Sequence, residues 1–276
     1  MLFLLVAGLV IWSFCALIVS RLNDPVGRGR VERFARRQAL DVTADNGNLV
    51  IRYLATTRRW RAGGLLLAAI GVVVGSVVLG RFSVNLFALF GGWFVGAVLA
   101  EWRVSSASSG SRRAARLAPR RRRDYLDVPA RALPIAAVVV CSALAVAILI
   151  GGADRGRAVW LPLAGWLVAT LVGLTLLVVA QRHVLGRPQP VVTRDVLAAD
   201  EAIRIRSMRV IAGAGVATAG IPAAALVNTL ATAYPRLDPS EVHGLSSLAL
   251  LVAIILGAAL AYAPVRHVPA HPARTP

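Results

Sequence analysis

The chain has 276 residues, of which 57% are hydrophobic, and its formal net charge of +18 at pH 7 comes from 31 arginines and no lysine. So much apolar surface behind so few polar residues excludes a soluble globular core, and the missing lysine excludes a retinal Schiff base and a Walker-type phosphate loop. The arginines lie between long apolar stretches. Basic loops of a membrane protein therefore explain the charge better than nucleic-acid binding does.

Seven segments carry no charged side chain and are long enough, or nearly so, to cross a bilayer, which takes a helix of about 20 residues. They are continuous apolar runs without alternation, so they are not the strands of a β-barrel. The expected fold is an all-α, polytopic integral membrane helix bundle, with residues 1–276 as a single transmembrane domain. In chain order the segments are 2–20, 64–80, 84–100, 133–150, 159–180, 210–233 and 245–263.

The arginines alternate from loop to loop. Loops 21–63, 101–132 and 181–209, with the tail after Ala263, hold 27 of them, and the intervening loops hold four. Because positive residues stay cytoplasmic, this alternation predicts seven spans, an outside N-terminus and a cytoplasmic C-terminus. The first segment has no basic n-region, so an uncleaved anchor is expected. The expected location is the cell (plasma) membrane, of the bacterial inner-membrane type.

The three basic loops are expected to be cytoplasmic and to carry short interfacial helices. Residues 21–40 contain Asn23-Asp24-Pro25 and two glycines, so this segment is expected to begin as loop. A helix can start with Thr43 or Asp45 as its N-cap, and another after Thr193.

Two of these loops resemble each other. The segment from Asp41 to Arg52 and the segment from Asp195 to Arg204 share an Asp-Val start, a second Asp and an Ile-Arg pair, and each leads into a Gly-rich span. The pattern indicates a 3+1+3 parallel repeat, in which spans one to three correspond to spans five to seven, as occurs in transporters. The alternative is that cytoplasmic loops simply share a composition.

The candidate contacts on the basic face are Arg120, Arg121, Arg122, Arg123, Arg58 and Arg59. They are expected to lie at anionic lipid headgroups, where each arginine contributes about 1 kcal/mol. An acidic membrane or cytoplasmic protein partner is the alternative, because guanidinium groups bind phosphate and carboxylate alike. No nucleic acid is expected.

Within the spans, small residues and one proline stand out. Gly71/Gly75, Gly92/Gly96, Gly213/Ala217 and Gly215/Ala219 have the spacing that lets helices approach closely. Pro222 lies near the middle of the sixth span and is the candidate helix kink. A bent helix can act as a gate, but it is more often only bent.

The sequence predicts no catalytic residue, no cofactor and no metal site. His267 and His271 have metal-ligand spacing, but they lie in a Pro-rich tail that disfavours a helix. Glu101, Asp124 and Asp127 are the candidates for an enzyme at the inner headgroup layer, although carboxylates near arginine are more often ion pairs.

Three functions remain after these exclusions. The first is a non-enzymatic scaffold, regulator or assembly partner that acts through its basic cytoplasmic face. The alternative is a transporter of a small molecule or a lipid, favoured by the repeat and by Pro222 and disfavoured by the lack of a carboxylate within the spans. The enzyme ranks last.

Overall fold

The computed structural model of the chain describes residues 24–78, 86–106, 113–114, 121–152, 156–190 and 193–264, with the isolated positions 13, 16 and 20. Seven α-helices form the frame of this described part. They are α1 (Arg28–Gln38), α2 (Ala44–Val78), α3 (Leu86–Ser106), α4 (Val128–Gly152), α5 (Arg157–Gly186), α6 (Arg194–Ala233) and α7 (Pro239–Tyr262). A 3₁₀ turn (Arg122–Asp124) and two antiparallel two-residue strands, β1 (Arg113–Ala114) and β2 (Gln189–Pro190), complete it.

Five of the described helices are long and apolar enough to cross a membrane, namely α2 as far as Ser76, α4, α5, α6 and α7. Large apolar side chains project outward from them, and Leu67, Ile150 and Leu161 are 71%, 76% and 75% exposed. Such a surface is suited to lipid and not to water. The helical fold is thereby confirmed, and a membrane location is supported.

Two of the seven predicted spans stand apart from these five helices. The span 84–100 falls mostly on α3, a helix of 21 residues that is not among the five. The span 2–20 lies outside the described residues except for positions 13, 16 and 20.

The helix α6 is the centre of the bundle, because it packs against α2, α3, α4, α5 and α7. Its side chains are buried over most of its length, and Met208 and Leu226 have no exposed surface. A helix surrounded in this way needs apolar or paired residues on every face.

Two helices begin directly after the predicted Thr43 and Thr193, although neither threonine hydroxyl makes a capping hydrogen bond in the described structure. The helix α2 begins directly after Thr43, whose backbone N–H donates to Asn46 Oδ1 over 2.9 Å. The helix α6 begins after Thr193, and α7 begins after Asp238, whose carboxylate accepts the Ser240 N–H over 2.8 Å. Hydrogen bonds from the side chain and the N–H of Ser240 hold the pKa of Asp238 below its usual range.

The helices α2 and α6 run unbroken from basic segments into apolar ones. The residues expected as a short interfacial helix are the first turns of α2, and residues 194–209 are the first turns of α6. The helix α1 occupies part of a segment expected to begin as loop. Val31, Phe34 and Gln38 share one face of α1, and the Phe34 ring packs 5.8 Å from the Tyr53 ring.

Glycines bring two pairs of helices into backbone contact. A Cβ atom on Gly64 would lie 2.2 Å from the Gly92 carbonyl oxygen, and a Cβ atom on Gly213 would lie 2.2 Å from that of Gly257. The pairs α2–α3 and α6–α7 therefore cross at positions where a larger residue does not fit. Of the predicted small pairs, Gly92/Gly96 and Gly213/Ala217 lie at these crossings, whereas Gly71 and Gly75 have no described atom within 4 Å of a Cβ position.

Candidate functional site

The three arginine-rich loops meet at one end of the bundle. Tyr53 from the first loop and Ser207 from the third both donate to Glu101 at the start of the second. Strand β1, in the second loop, pairs with β2, in the third, and Arg209 lies 3.4 Å from Asp127. We call this region the basic end; it comprises α1, residues 44–63 of α2, 101–106 of α3, 121–127, 181–190 and 194–209.

Glu101 is the buried centre of the basic end, and its side chain has no exposed surface. The Tyr53 hydroxyl donates to Oε1 over 3.1 Å, and the Ser207 hydroxyl donates to Oε2 over 2.5 Å. Arg61 NH2 lies 3.6 Å from Oε1, which is within ion-pair range but too long for a good hydrogen bond. The carboxylate is thus held by two hydroxyls, while Arg61 is only loosely engaged.

Three buried arginines of α6 have different surroundings. Arg204 donates to two carbonyls at the end of α5 and to Asp200, over 2.7, 3.1 and 3.1 Å. Arg209 donates to two carbonyls that follow α7, over 2.9 and 3.0 Å. A cation at a helix C-terminus satisfies carbonyls that have no partner within the helix. Arg206 is only 8% exposed, and its NH1 has no hydrogen-bond partner in the described part of the chain.

Arg206 lines a cavity of about 660 Å³ between α1, the first half of α2 and α6. No aspartate or glutamate is among the described residues that line it. Trp93 and Tyr262 contribute from α3 and α7, and Phe34, Leu54 and Leu65 form apolar wall. The arginines of the lining are Arg30, Arg33, Arg37, Arg58, Arg61 and Arg206. We call this space the arginine cavity.

Aromatic rings support three of these guanidinium groups. The Cζ atoms of Arg206 and Arg37 lie 4.5 Å and 5.6 Å from the centre of the Tyr262 ring, and that of Arg61 lies 5.4 Å from the Trp93 ring. Such contacts contribute about 0.5–2 kcal/mol each. These ring contacts do not satisfy the N–H groups. Arg61 Nε and Arg206 NH1 are buried without a hydrogen-bond partner among the described residues.

Two of the predicted contact arginines, Arg58 and Arg59, are neighbours on α2 but face different spaces. Arg58 is half-buried, lines the arginine cavity and donates to the Asp24 carbonyl. Arg59 is exposed and lines a separate groove of about 520 Å³ above the α2–α3 crossing. The structure therefore brings only the first of them into the cavity.

The predicted run of four arginines is described in part, because Arg120 lies outside the described residues. Arg121 and Arg123 are exposed and Arg122 is half-buried, in and before the 3₁₀ turn. The Arg121 N–H donates to the Asp124 carboxylate over 3.0 Å and closes that turn. These side chains do not line the arginine cavity.

Pro222 is buried within α6, which continues through it as one helix. It lines a second cavity of about 180 Å³ between α4, α5 and α6, together with Thr170, Thr218 and Trp166. The sulfur of Cys141 lies 3.8 Å from the Ala219 carbonyl beside it. The proline thus lies at a small internal space, and a kink at Pro222 stays a prediction.

Of the three candidate carboxylates, Glu101 and Asp127 lie within ion-pair range of Arg61 and Arg209, and Asp124 accepts from the Arg121 backbone N–H. Sequence reasoning did not single out Arg61 or Arg206. One available signal was the spacing of Arg204 and Arg206. Residues two apart point to nearly opposite sides of a helix. Arg206 therefore cannot donate to the carbonyls at the end of α5 as Arg204 does.

No protein-family model, no curated protein and no solved structure matches this chain.

Proposed function

We propose that the chain is a multi-pass protein of the cell membrane that acts without catalysis, as a scaffold, regulator or assembly partner, through its basic end. In this proposal the basic end is cytoplasmic and engages anionic lipid headgroups or an acidic protein partner. The observation that carries the proposal is the excess of guanidinium over carboxylate: six arginines line one cavity, and none of its described lining residues is acidic. A cleft lined by charges of one sign attracts ions of the opposite sign.

The proposal includes seven transmembrane helices with the N-terminus outside and the C-terminus cytoplasmic. Two sets of contacts support this arrangement. The three loops with most arginines meet at the basic end, through Glu101 and its hydroxyl partners. At the other end of the bundle, the Tyr234 hydroxyl after α6 donates to the Ala147 carbonyl near the end of α4, over 3.0 Å. These contacts among the described residues support the alternation of basic loops on which the proposed orientation depends.

A transporter of a small molecule or a lipid is the second candidate, and the paired hairpins favour it. The helices α2 and α6 each start at the basic end and meet a returning helix at a glycine, Gly64 or Gly213, about 20 residues later. They begin side by side, with Asn46 Nδ2 3.4 Å from the Asp195 carbonyl. This correspondence supports the proposed 3+1+3 repeat. Movement of a lipid between the leaflets of reconstituted vesicles, seen only when the protein is present, would favour a transporter over a scaffold.

The first prediction tests the basic end against the rest of the surface. We expect the Arg121→Gln/Arg123→Gln double variant of the full-length protein, purified in a neutral detergent, to bind phosphatidylglycerol about 30-fold more weakly at low salt, at about 1 kcal/mol per arginine. The difference should shrink as salt is added, because exposed charges are screened. The measurement is phosphatidylglycerol bound per protein in a lipid titration.

The matched control removes the same charge from the opposite end. Arg157 and Arg236 are exposed like Arg121 and Arg123, so Arg157→Gln/Arg236→Gln has an equal effect on net charge. The Arg157→Gln/Arg236→Gln variant should bind phosphatidylglycerol as tightly as the unchanged protein. Equal binding by the two double variants would mean that the arginine run is only a topology signal.

A further inference from the structure

We propose that the arginine cavity binds a phosphate group, carried either by an anionic lipid headgroup or by a small phosphorylated molecule. This inference deepens the proposed function, since it depends on the basic end meeting anions, and it adds a defined site and a defined chemistry. It concerns the cavity side chains of α1, α2 and α6 and not the exposed run at Arg121–Arg123.

Two buried donors of the cavity, on Arg61 and Arg206, are available for a ligand. Arg206 is 8% exposed and the Arg61 side chain is 15% exposed, so water reaches little of either guanidinium group. Arg206 NH1 and Arg61 Nε are buried and have no hydrogen-bond partner in the described structure. Buried polar groups are normally satisfied, and an exception indicates a missing ligand or water. Two guanidinium groups that face one space can each donate to the oxygens of a phosphate.

The described carboxylates offset only part of the charge of the cavity. Glu101 lies beside Arg61 and Asp24 lies beside Arg58, whereas six arginines line the space. Twelve of the 13 acidic residues belong to the described part of the chain, and none of them lines the cavity. The six arginines outnumber the described carboxylates beside them, which favours an anion supplied from outside the protein.

The shape of the cavity favours an organic phosphate over the bare ion. Its volume of about 660 Å³ is far larger than one phosphate and within the range of pockets for small ligands. Phe34, Leu54, Leu65 and Trp93 give an apolar wall beside the guanidinium groups. A phosphate attached to glycerol, a sugar or acyl chains can satisfy both parts of the lining.

The test uses the full-length protein in a neutral detergent, with short-chain phosphatidic acid, glycerol 3-phosphate and inorganic phosphate as three separate probes. Short-chain phosphatidylcholine, which is zwitterionic, is the control lipid. A ligand that binds the folded state raises the unfolding temperature in a saturable way. We expect phosphatidic acid to raise the unfolding temperature and phosphatidylcholine to leave it unchanged. Inorganic phosphate should bind more weakly than phosphatidic acid, and more weakly than glycerol 3-phosphate if that probe binds. Binding of phosphatidic acid alone identifies a lipid site, and binding of glycerol 3-phosphate as well identifies a site open to soluble phosphates.

Two pairs of variants tie the binding to the cavity. Arg61→Gln removes a lining donor of α2, and we expect it to weaken binding about 10- to 100-fold, as for the loss of a charge-assisted hydrogen bond. Arg59→Gln, two residues away and outside the cavity, is its control. Because Arg61→Gln could disturb the fold, the exposed pair on α1 gives an independent comparison: Arg37→Gln should weaken binding, and Arg36→Gln should not, since only Arg37 lines the cavity.

Failure of this inference can be told from failure of the proposed function. Absence of saturable binding by all three phosphate probes overturns the phosphate site, and so does equal weakening by Arg36→Gln and Arg37→Gln. Both results leave the phosphatidylglycerol experiment on Arg121 and Arg123 untouched. If that experiment fails while Arg37→Gln and Arg61→Gln selectively lose phosphate binding, the cavity is a ligand site of a protein whose exposed basic face has no role in binding.

Discussion

Glu101 lies one residue beyond the predicted span 84–100, and yet it has no exposed surface. A carboxylate in such a place is stable only where donors replace the water that it has lost. The hydroxyls of Tyr53 and Ser207 replace that water, and they come from α2 and α6. Glu101 thus ties three helices together at the floor of the basic end. Arg61 lies 3.6 Å from the same carboxylate, donates from NH1 to the Tyr262 hydroxyl over 3.3 Å and also lines the cavity.

At this scale the second prediction concerns Ser207, which is 1% exposed. Replacing it with alanine removes the 2.5 Å hydrogen bond to a buried carboxylate, so we expect the free energy of unfolding to fall by about 1.5–3 kcal/mol. Ser142, an exposed serine that donates to the Val138 carbonyl of its own helix, is the control. Ser142→Ala should change stability by no more than about 0.5 kcal/mol. Unfolding in detergent would measure both, and equal losses would contradict the central role given to Glu101.

At the scale of the helix, the crossings of α2 with α3 and of α6 with α7 depend on the absence of side chains. The backbones approach so closely that a Cβ atom on Gly213 would lie 2.2 Å from one carbonyl oxygen and 3.0 Å from the Ala261 Cβ. Neither neighbour can rotate away, because one is backbone and the other is a methyl group. In lipid, packing of this kind stabilises a helix pair where hydrophobic exclusion of water is absent.

The third prediction compares two glycines of the spans. Gly213→Ala should separate α6 from α7 and lower the free energy of unfolding by about 1–3 kcal/mol, the usual cost of overpacking. Gly173 of α5 has no described atom within 4 Å of a Cβ position and lines the 180 Å³ cavity, so Gly173→Ala adds a methyl group to open space. It should be neutral, or stabilising by up to about 1 kcal/mol through helix propensity. If the two variants unfold alike, the α6–α7 crossing is looser than the structure indicates.

For the whole molecule, local sequence signals predicted the helices better than the site. Uncharged length predicted the spans on α2, α4, α5, α6 and α7, and Thr43 and Thr193 predicted where two helices start. The helix α1 was not predicted, since its polar composition gives no apolar run and its helix is stabilised by packing of Phe34 on Tyr53. The arginine cavity was not predicted either. It joins residues of five helices that are far apart in the chain, and only the folded arrangement separates Arg206 from Arg204 and Arg209.

The last prediction concerns the orientation of the whole bundle. In a variant with Cys15 and Cys141 replaced, a cysteine at Leu237 should react with a membrane-impermeant maleimide on intact cells. A cysteine at Ser106, which is also exposed but lies at the basic end, should react only after permeabilisation. The reason is the distribution of arginines, because the loops that meet at the basic end must stay on the side where positive charge is retained. Labelling of Ser106→Cys on intact cells would contradict the orientation and would place the arginine cavity outside, away from any cytoplasmic phosphate.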